Sequence, residues 1–377
     1  LPAPPTEDSI RTFLSPNNSN CPLNNVIVGA NNEGTMRFLR RFAFTALKRD
    51  NHSCAGCDFA IFAPSGQGKT FAVKMFAKTV ELPMATVDCT ALSKTWEVYV
   101  ALQKALTETY DTPLVPYKTG PDCVADVTVP PCIMFFDEAH GIPPKLAKGA
   151  ILPAMEPDDG LMEVRPGGKG DPFIVDCRNV CWVAATTERG MLFDAFANRL
   201  QCLEMEPAGY DELVKIVKLK LDMEEDLPFD CPWEACRIAA RYQRVPRDAI
   251  KFGRRMIEQK DMHPADTWEE AAQQVATDLG LDQWGLGPKQ RAILEALGQR
   301  PVALKRLPIV AKCRIEQVEK VELPLLCDYR YGGPLVVAVT GRGMCITRRG
   351  LKELEKRGIA HRGDSITAEY FEERRQK

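Results

Sequence analysis

The chain has 377 residues, enough for two or three domains at roughly 150 residues each. Apolar residues make up 45% and charged residues 27%, which excludes wholesale disorder and collagen-like repetition. The net charge is −2, from 49 Lys and Arg against 51 Asp and Glu, which excludes a uniformly basic nucleic-acid coat but not a local basic patch.

Residues 1–25 are rich in Pro, Asn and Ser and read as a flexible leader. The first five, Leu1-Pro2-Ala3-Pro4-Pro5, have neither the basic nor the apolar stretch of a signal peptide. No apolar run approaches a membrane span. From 26 to 207, apolar strands alternate with helices. Strands are expected at 58–62, 84–88, 132–136, 180–185 and 200–204, and helices at 69–80, 95–107 and 144–155. Continuous apolar strands separated by helices imply an α/β fold with a parallel sheet covered on both faces. Residues 110–130 hold several Pro and Gly and read as a loop insertion. Residues 208–280 have purely helical apolar spacing. Over 281–377, three short helical patterns (288–298, 302–313, 315–326) precede a hairpin. It runs Leu335–Val339, a Gly341-Arg342-Gly343 turn, then Met344–Thr347, and a helix over 351–357 closes it. Three helices and a basic-tipped hairpin form the outline of a winged helix.

The 14 cysteines lie mostly inside apolar segments and read as small core hydrophobes in a reducing, cytoplasmic compartment. Cys54-Ala55-Gly56-Cys57, with His52 nearby, has no second close pair to complete a zinc site. The five Trp are scattered in apolar patterns and read as packing residues.

The strongest chemical signal is Ala63-Pro64-Ser65-Gly66-Gln67-Gly68-Lys69-Thr70, between a strand and a helix. Gly66 and Gly68 let backbone N–H groups turn onto phosphates, and the helix N-terminus favours negative charge. Lys69 would reach the β- and γ-phosphates of ATP, and the Thr70 hydroxyl would bind Mg²⁺. The usual first glycine of such a loop is Ala63 here. A second signal is Cys132-Ile133-Met134-Phe135-Phe136-Asp137-Glu138-Ala139-His140. It delivers two acids at a strand's C-terminal end, where open α/β sheets bind ligands. Asp137 would hold Mg²⁺ and Glu138 would act as general base on water. A third strand ends in Thr186-Thr187, and Thr187 could sense the γ-phosphate or position water. Arg199 stands just before the last strand, either as a surface residue or as an arginine finger for a neighbouring subunit. Arg247 begins a helix of the all-helical segment and could touch the γ-phosphate or sit in solvent.

Together these strings resemble the AAA+ ATPases, and within them the RuvB family of Holliday-junction branch-migration motors. Val28-Gly29 resembles that family's adenine-side Val-Gly. Asp137-Glu138-Ala139-His140 is similar to its Walker B string, Pro153-Ala154-Met155-Glu156 to its Pro-Ala-Met-Glu segment, and Ala185-Thr186-Thr187 to its sensor 1. Arg199 falls at the arginine-finger position and Arg247 at sensor 2. Thr340-Gly341-Arg342-Gly343 resembles its wing tip. The likeness spans about residues 26–350. It implies an AAA+ large domain at 26–207, a helical lid at 208–280 and a winged-helix DNA-binding domain with a tail at 281–377. It also implies ATP and Mg²⁺ as ligands, and a homo-oligomer, a hexamer, acting on double-stranded or branched DNA. The segment 161–175 stands where the family carries a hairpin that grips RuvA by apolar contacts. Here its tip, 165–170, is charged, which departs from apolar docking and argues against a RuvA partner; the segment remains a candidate docking point for a RuvA-like or other effector protein.

The charge divides along the chain. Residues 281–377 hold 19 Lys and Arg against 12 Asp and Glu, net +7, whereas residues 1–280 hold 30 against 39, net −9. Arg342, Arg348 and Arg349 lie in or just after the hairpin and are the DNA-contact candidates, suited to phosphates rather than bases. Three functions fit: a motor that moves duplex DNA, an ATP-dependent switch or loader that recruits an effector on DNA, and a clamp-loader-like subunit.

Overall fold

A computed structural model of the chain describes residues 6–26, 32–49, 54–110, 126–166, 171–224, 226–227, 231–282, 285–327 and 334–373. It divides into two compact units, Leu1–Ala208 and Gly209–Lys377.

The first unit is built on five parallel strands in the order β2-β4-β7-β1-β8. They are β1 (Phe59–Phe62), β2 (Met84–Asp88), β4 (Cys132–Asp137), β7 (Val180–Thr186) and β8 (Gln201–Glu204). Side chains alternate across a strand, so each apolar run feeds two cores. Ala60, Met134, Phe136, Trp182 and Ala184 enter one, and Phe59, Ile61, Ile133, Phe135 and Val183 the other. Helices α2 (Glu33–Leu47) and α3 (Lys69–Val80) cover the second face. Over the first lie α4 (Thr95–Tyr110), α5 (Pro144–Leu146), α6 (Leu152–Ala154) and α7 (Asp194–Ala197). A smaller sheet, β3-β6-β5, combines β3 (Val127–Thr128) with the antiparallel pair β5 (Leu161–Val164) and β6 (Phe173–Asp176).

Three expectations change. From Thr6 onward the leader is packed, not flexible. The Thr6 side chain caps α1 (Glu7–Phe13), and Ile10, Leu14, Cys21 and Leu23 are buried. Its asparagines make turns: Asn24 Nδ2 donates to the carbonyls of Ser15 (2.8 Å) and Asn18 (2.7 Å). The insertion also contains a strand, β3, at its end; most of the rest of it, with the tip residues 167–170, lies outside the described residues. The helix expected at 144–155 is interrupted by a wide π-type turn over Ala147–Ile151. Pro153 lacks an N–H and its ring conflicts with the carbonyl four residues earlier, which such a turn relieves. The same device recurs over Val318–Glu322, ahead of Pro324.

The second unit has two apolar cores. Helices α8 (Tyr210–Asp222), α9 (Trp233–Tyr242), α10 (Pro246–Met262) and α11 (Trp268–Asp278) share one, containing Leu213, Val217, Ala239, Phe252 and Met256. The other lies among α12 (Pro288–Gln299), α13 (Leu307–Ala311), α14 (Ile315–Gln317), α15 (Leu323–Leu326), the hairpin β9 (Val336–Val339) and β10 (Gly343–Ile346), and α16 (Arg348–Lys356). A last helix, α17 (Ala368–Glu373), follows. Gly285 joins the two groups. A Cβ there would stand 1.9 Å from the Tyr242 carbonyl oxygen, and its φ of +79° also favours glycine. The buried Arg357–Asp282 ion pair (2.8 Å) ties the same junction. Among the described residues no helix is long and apolar enough to cross a membrane.

Ten of the described cysteines are buried and none is in a disulfide. Burial pushes the Cys57 thiol up to about 11 and Cys132 to about 12, as inert packing thiols require.

Just before β1, the Asp58 carboxylate accepts from Trp182 N (2.7 Å) at the foot of β7. Burial pushes its pKa from 3.8 up to about 7, against the lowering effect of that N–H. The folded state therefore holds a proton that the unfolded chain has lost, and this stabilisation disappears as pH rises from about 4 to 7. Asp58→Asn, which keeps the acceptor, is expected to flatten that fall. Urea denaturation at about pH 5 and about pH 7.5 measures it; an unchanged difference between wild type and variant would remove Asp58 from the pH dependence.

Candidate functional site

The phosphate loop is formed as its sequence requires. It leaves β1 at Phe62 and returns as α3 at Lys69. Gly66 and Gly68 hold φ of +77° and +89°, the left-handed region that other residues resist. At Gly68 the constraint is backbone conformation and not space: a Cβ there would meet nothing within 4 Å. Lys69 is 6% exposed, and its Nζ donates to the carbonyls of Ala63 (2.9 Å) and Pro64 (3.3 Å). The ammonium is thus held against the loop it would share with a phosphate. Ala63, in the position of the usual first glycine, is buried in the core behind the loop.

Both acids arrive from the end of β4, which β7 separates from β1 in the sheet. Thr70 Oγ1 donates to Asp137 Oδ2 (3.0 Å), so the hydroxyl and carboxylate that the sequence suggests for Mg²⁺ face each other. Both are hard oxygen donors, which fit that ion with phosphate and water completing its shell. Asp137 Oδ1 accepts from the backbone N–H of Glu138 (3.1 Å). Glu138 itself stands at φ +49°, an unusual conformation for a side chain with a Cβ and one found at functional sites. The turn after it packs tightly: a Cβ on Gly141 would lie 2.6 Å from the Cys89 carbonyl oxygen.

Thr187 Oγ1 lies 3.5 Å from Glu138 Oε2, so the third strand meets the second at the acid. Sequence reasoning assigned no role to two groups here. His140 Nδ1 shares a hydrogen bond with Thr186 Oγ1 (2.9 Å) and lies 3.5 Å from Glu138 Oε2. Thr186 is fully buried and accepts from Glu188 N (3.1 Å). The His140–Thr186 pair therefore stands beside the Glu138 carboxylate. The clue in the sequence was the His two residues beyond the acid pair. Asn32 was also missed. Its amide exchanges two hydrogen bonds with Glu206 (2.8 and 2.7 Å), fixing the start of α2 to the chain leaving β8.

Lys69, Thr70, Asp137, Glu138 and Thr187 thus gather at the C-terminal ends of β1, β4 and β7. Arg199 does not join them. It precedes β8, at the opposite end of the parallel sheet, where it pairs with Glu156 and donates to the Ala195 carbonyl (3.1 Å). Arg247 is exposed in the first turn of α10, in the second unit. Val28 and Gly29 lie outside the described residues. The hairpin candidates are engaged at home. The Arg342 guanidinium lies 4.8 Å from the Phe371 ring centroid, Arg348 is bound by carboxylates, and Arg349 is half-buried.

Residues 59–206 match the family model described as ATPase family associated with various cellular activities (AAA). No curated protein matches the chain at a significant level. Among solved structures, RuvB of Thermotoga maritima, titled a Holliday junction branch migration motor, is similar with a TM-score of 0.59 and 19% identity. That likeness covers 87% of this chain and 95% of the other. Two single-substitution variants of the same protein match with TM-scores of 0.60 and 0.62, at 19% and 20% identity. Each again covers 87% of this chain, with 95% and 96% of theirs. At these identities the likeness is one of fold.

Proposed function

We propose that this chain, an AAA ATPase domain within a RuvB-like fold, is an ATP-hydrolysing ring motor that moves duplex DNA, with RuvB-like branch migration as its specific activity. The observation that carries the reading is the split of the machinery across the sheet. The loop, the metal-binding pair and the general base share one end, while Arg199 sits at the other. A single copy cannot place Arg199 in its own site, so the reading requires a closed assembly in which each copy completes its neighbour. We take this assembly to be a hexamer, in the cytoplasm.

In that reading Gly66, Gly68 and the N-terminus of α3 hold the phosphates, and Val28 and Gly29 flank the adenine. Lys69 turns from the carbonyls of Ala63 and Pro64 to the β- and γ-phosphates. Thr70 and Asp137 would hold Mg²⁺, which supplies charge neutralisation on the phosphate oxygens. Glu138 accepts the proton of the attacking water, with Thr187 orienting water and γ-phosphate. Residues 208–280 act as a lid bearing Arg247. Residues 281–377 act as a winged helix whose Arg342, Arg348 and Arg349 meet DNA phosphates. The hairpin 161–175 is the proposed docking point for a RuvA-like or other effector protein.

The test is a four-way-junction assay with ATP, with and without a RuvA-type protein. Steady turnover coupled to strand exchange is expected. ATP-dependent assembly on DNA with slow turnover and no strand movement would replace the motor by a switch that recruits an effector. A mixed ring with a sliding-clamp partner would replace it by a loader subunit.

A further inference from the structure

The basic surface of the hairpin region carries its own acidic cover. Residues 364–373 contain four acids, Asp364, Glu369, Glu372 and Glu373, and no Lys or Arg. Three of those acids meet Arg348. Its Nε and Nη2 donate to the two oxygens of Asp364 (2.7 and 3.0 Å), and its Nη1 lies 2.8 Å from Glu373 Oε1. Its backbone N–H donates to both oxygens of Glu369 (3.2 and 3.0 Å). A planar fork gripped in this way makes to carboxylates the contacts it would make to a phosphate. The neighbouring Arg342 stays exposed, with the Phe371 ring 4.8 Å from its guanidinium.

The segment is anchored so that it stays there. Thr367 bridges Ile346 in parallel, extending the hairpin by one short pairing. Ala368 is buried with Val339 and Cys345, and Phe371 packs on that cluster. Apolar residues of α17 therefore hold the helix on the hairpin while Glu369 and Glu373 meet Arg348.

We infer that residues 364–373 are an internal competitor for nucleic-acid phosphate, occupying Arg348 until DNA displaces them. This rests on the proposed DNA contact of the hairpin. The ion pairs are exposed, so each contributes little to folding. A polyanion presenting closely spaced phosphates can exchange for them.

The test neutralises the cover without removing its packing. Asp364→Asn, Glu369→Gln and Glu373→Gln are combined in the full chain, and duplex DNA binding is titrated across a salt series. A charge-matched control carries Glu258→Gln, Asp261→Asn and Asp278→Asn. Thermal melting verifies that both are folded. Relative to the control, the neutralised chain is expected to bind about tenfold more tightly, with a salt slope steeper by about one for each phosphate newly met. Arg348→Ala should cost less than about twofold in the wild type and about tenfold in the neutralised chain, since the coupling appears only when the cover is loosened. Equal gains in control and neutralised chains, with an equal cost of Arg348→Ala in both, would overturn the competitor while leaving the DNA surface in place. Absence of duplex binding by every chain would overturn the DNA surface itself, and the competitor with it.

Discussion

Glu138→Gln is expected to bind ATP as tightly as the wild type and to hydrolyse it about 10²–10⁴ times more slowly, the range that a positioned general base supplies. The two halves of the expectation come from different atoms. Binding is assigned to Gly66, Gly68, Lys69 and the Thr70–Asp137 pair, with Lys69 held by the Ala63 and Pro64 carbonyls and Thr70 by Asp137. Hydrolysis depends on a carboxylate that can take a proton. Gln has the same shape and accepts a hydrogen bond, but it does not take the proton. The substitution also spares the geometry around it. Glu138 N donates to Asp137 Oδ1, a backbone contact that survives the change. Thr187 can still reach the amide oxygen, and the His140–Thr186 bond does not involve residue 138. A loss of turnover with unchanged affinity therefore reports chemistry rather than damage. Fluorescent-nucleotide titration beside steady-state phosphate release separates the two. Wild-type turnover by the variant would remove Glu138 from the reaction.

Legibility in the sequence followed the range of the physics. The loop and its helix were legible because a strand, two glycines, a Lys and a helix start all lie within a dozen residues. The structure begins α3 at Lys69, where that spacing puts it. Buried strands were legible as continuous apolar runs, because a parallel sheet hides both faces. What was missed depends on partners far away in sequence. Asn32 matters through Glu206, and His140 through Thr186. The His two residues beyond the acid pair hints at the second bond, but no local pattern announces the first. The leader misled for a related reason. Its Pro and Asn content is shared by flexible and by turn-rich segments, and only the burial of Ile10, Leu14 and Leu23 decides between them. Arg348 reads from the sequence as a DNA-contact candidate, while Asp364 and Glu373, which bind it, stand 16 and 25 residues further along. Charge counts locate a basic region, but they do not say which cations are already paired.

Arg199→Ala is expected to lower hydrolysis by about 10³–10⁵, the range of an arginine finger, with ATP affinity unchanged in the isolated subunit. The second half follows from position. Arg199 precedes β8, whereas the phosphate loop and both acids follow the opposite ends of β1 and β4, so deletion of its side chain leaves its own site intact. The present partner of Arg199 is Glu156, and both groups are partly exposed, so the pair is weak enough to be exchanged for a neighbour's γ-phosphate. Arg199→Lys should restore only part of the rate, since an ammonium cannot reproduce the planar fork. The decisive form of the experiment mixes two dead variants. Glu138→Gln has a sound finger and no base; Arg199→Ala has a sound base and no finger. Where an Arg199→Ala site faces the finger of a Glu138→Gln neighbour, one complete site is rebuilt. Turnover should therefore rise well above the sum of the separate variants and peak near equal proportions. Rings that assemble from the mixture without any gain would place Arg199 outside the reaction, and the requirement for a closed assembly would lose its chemical basis.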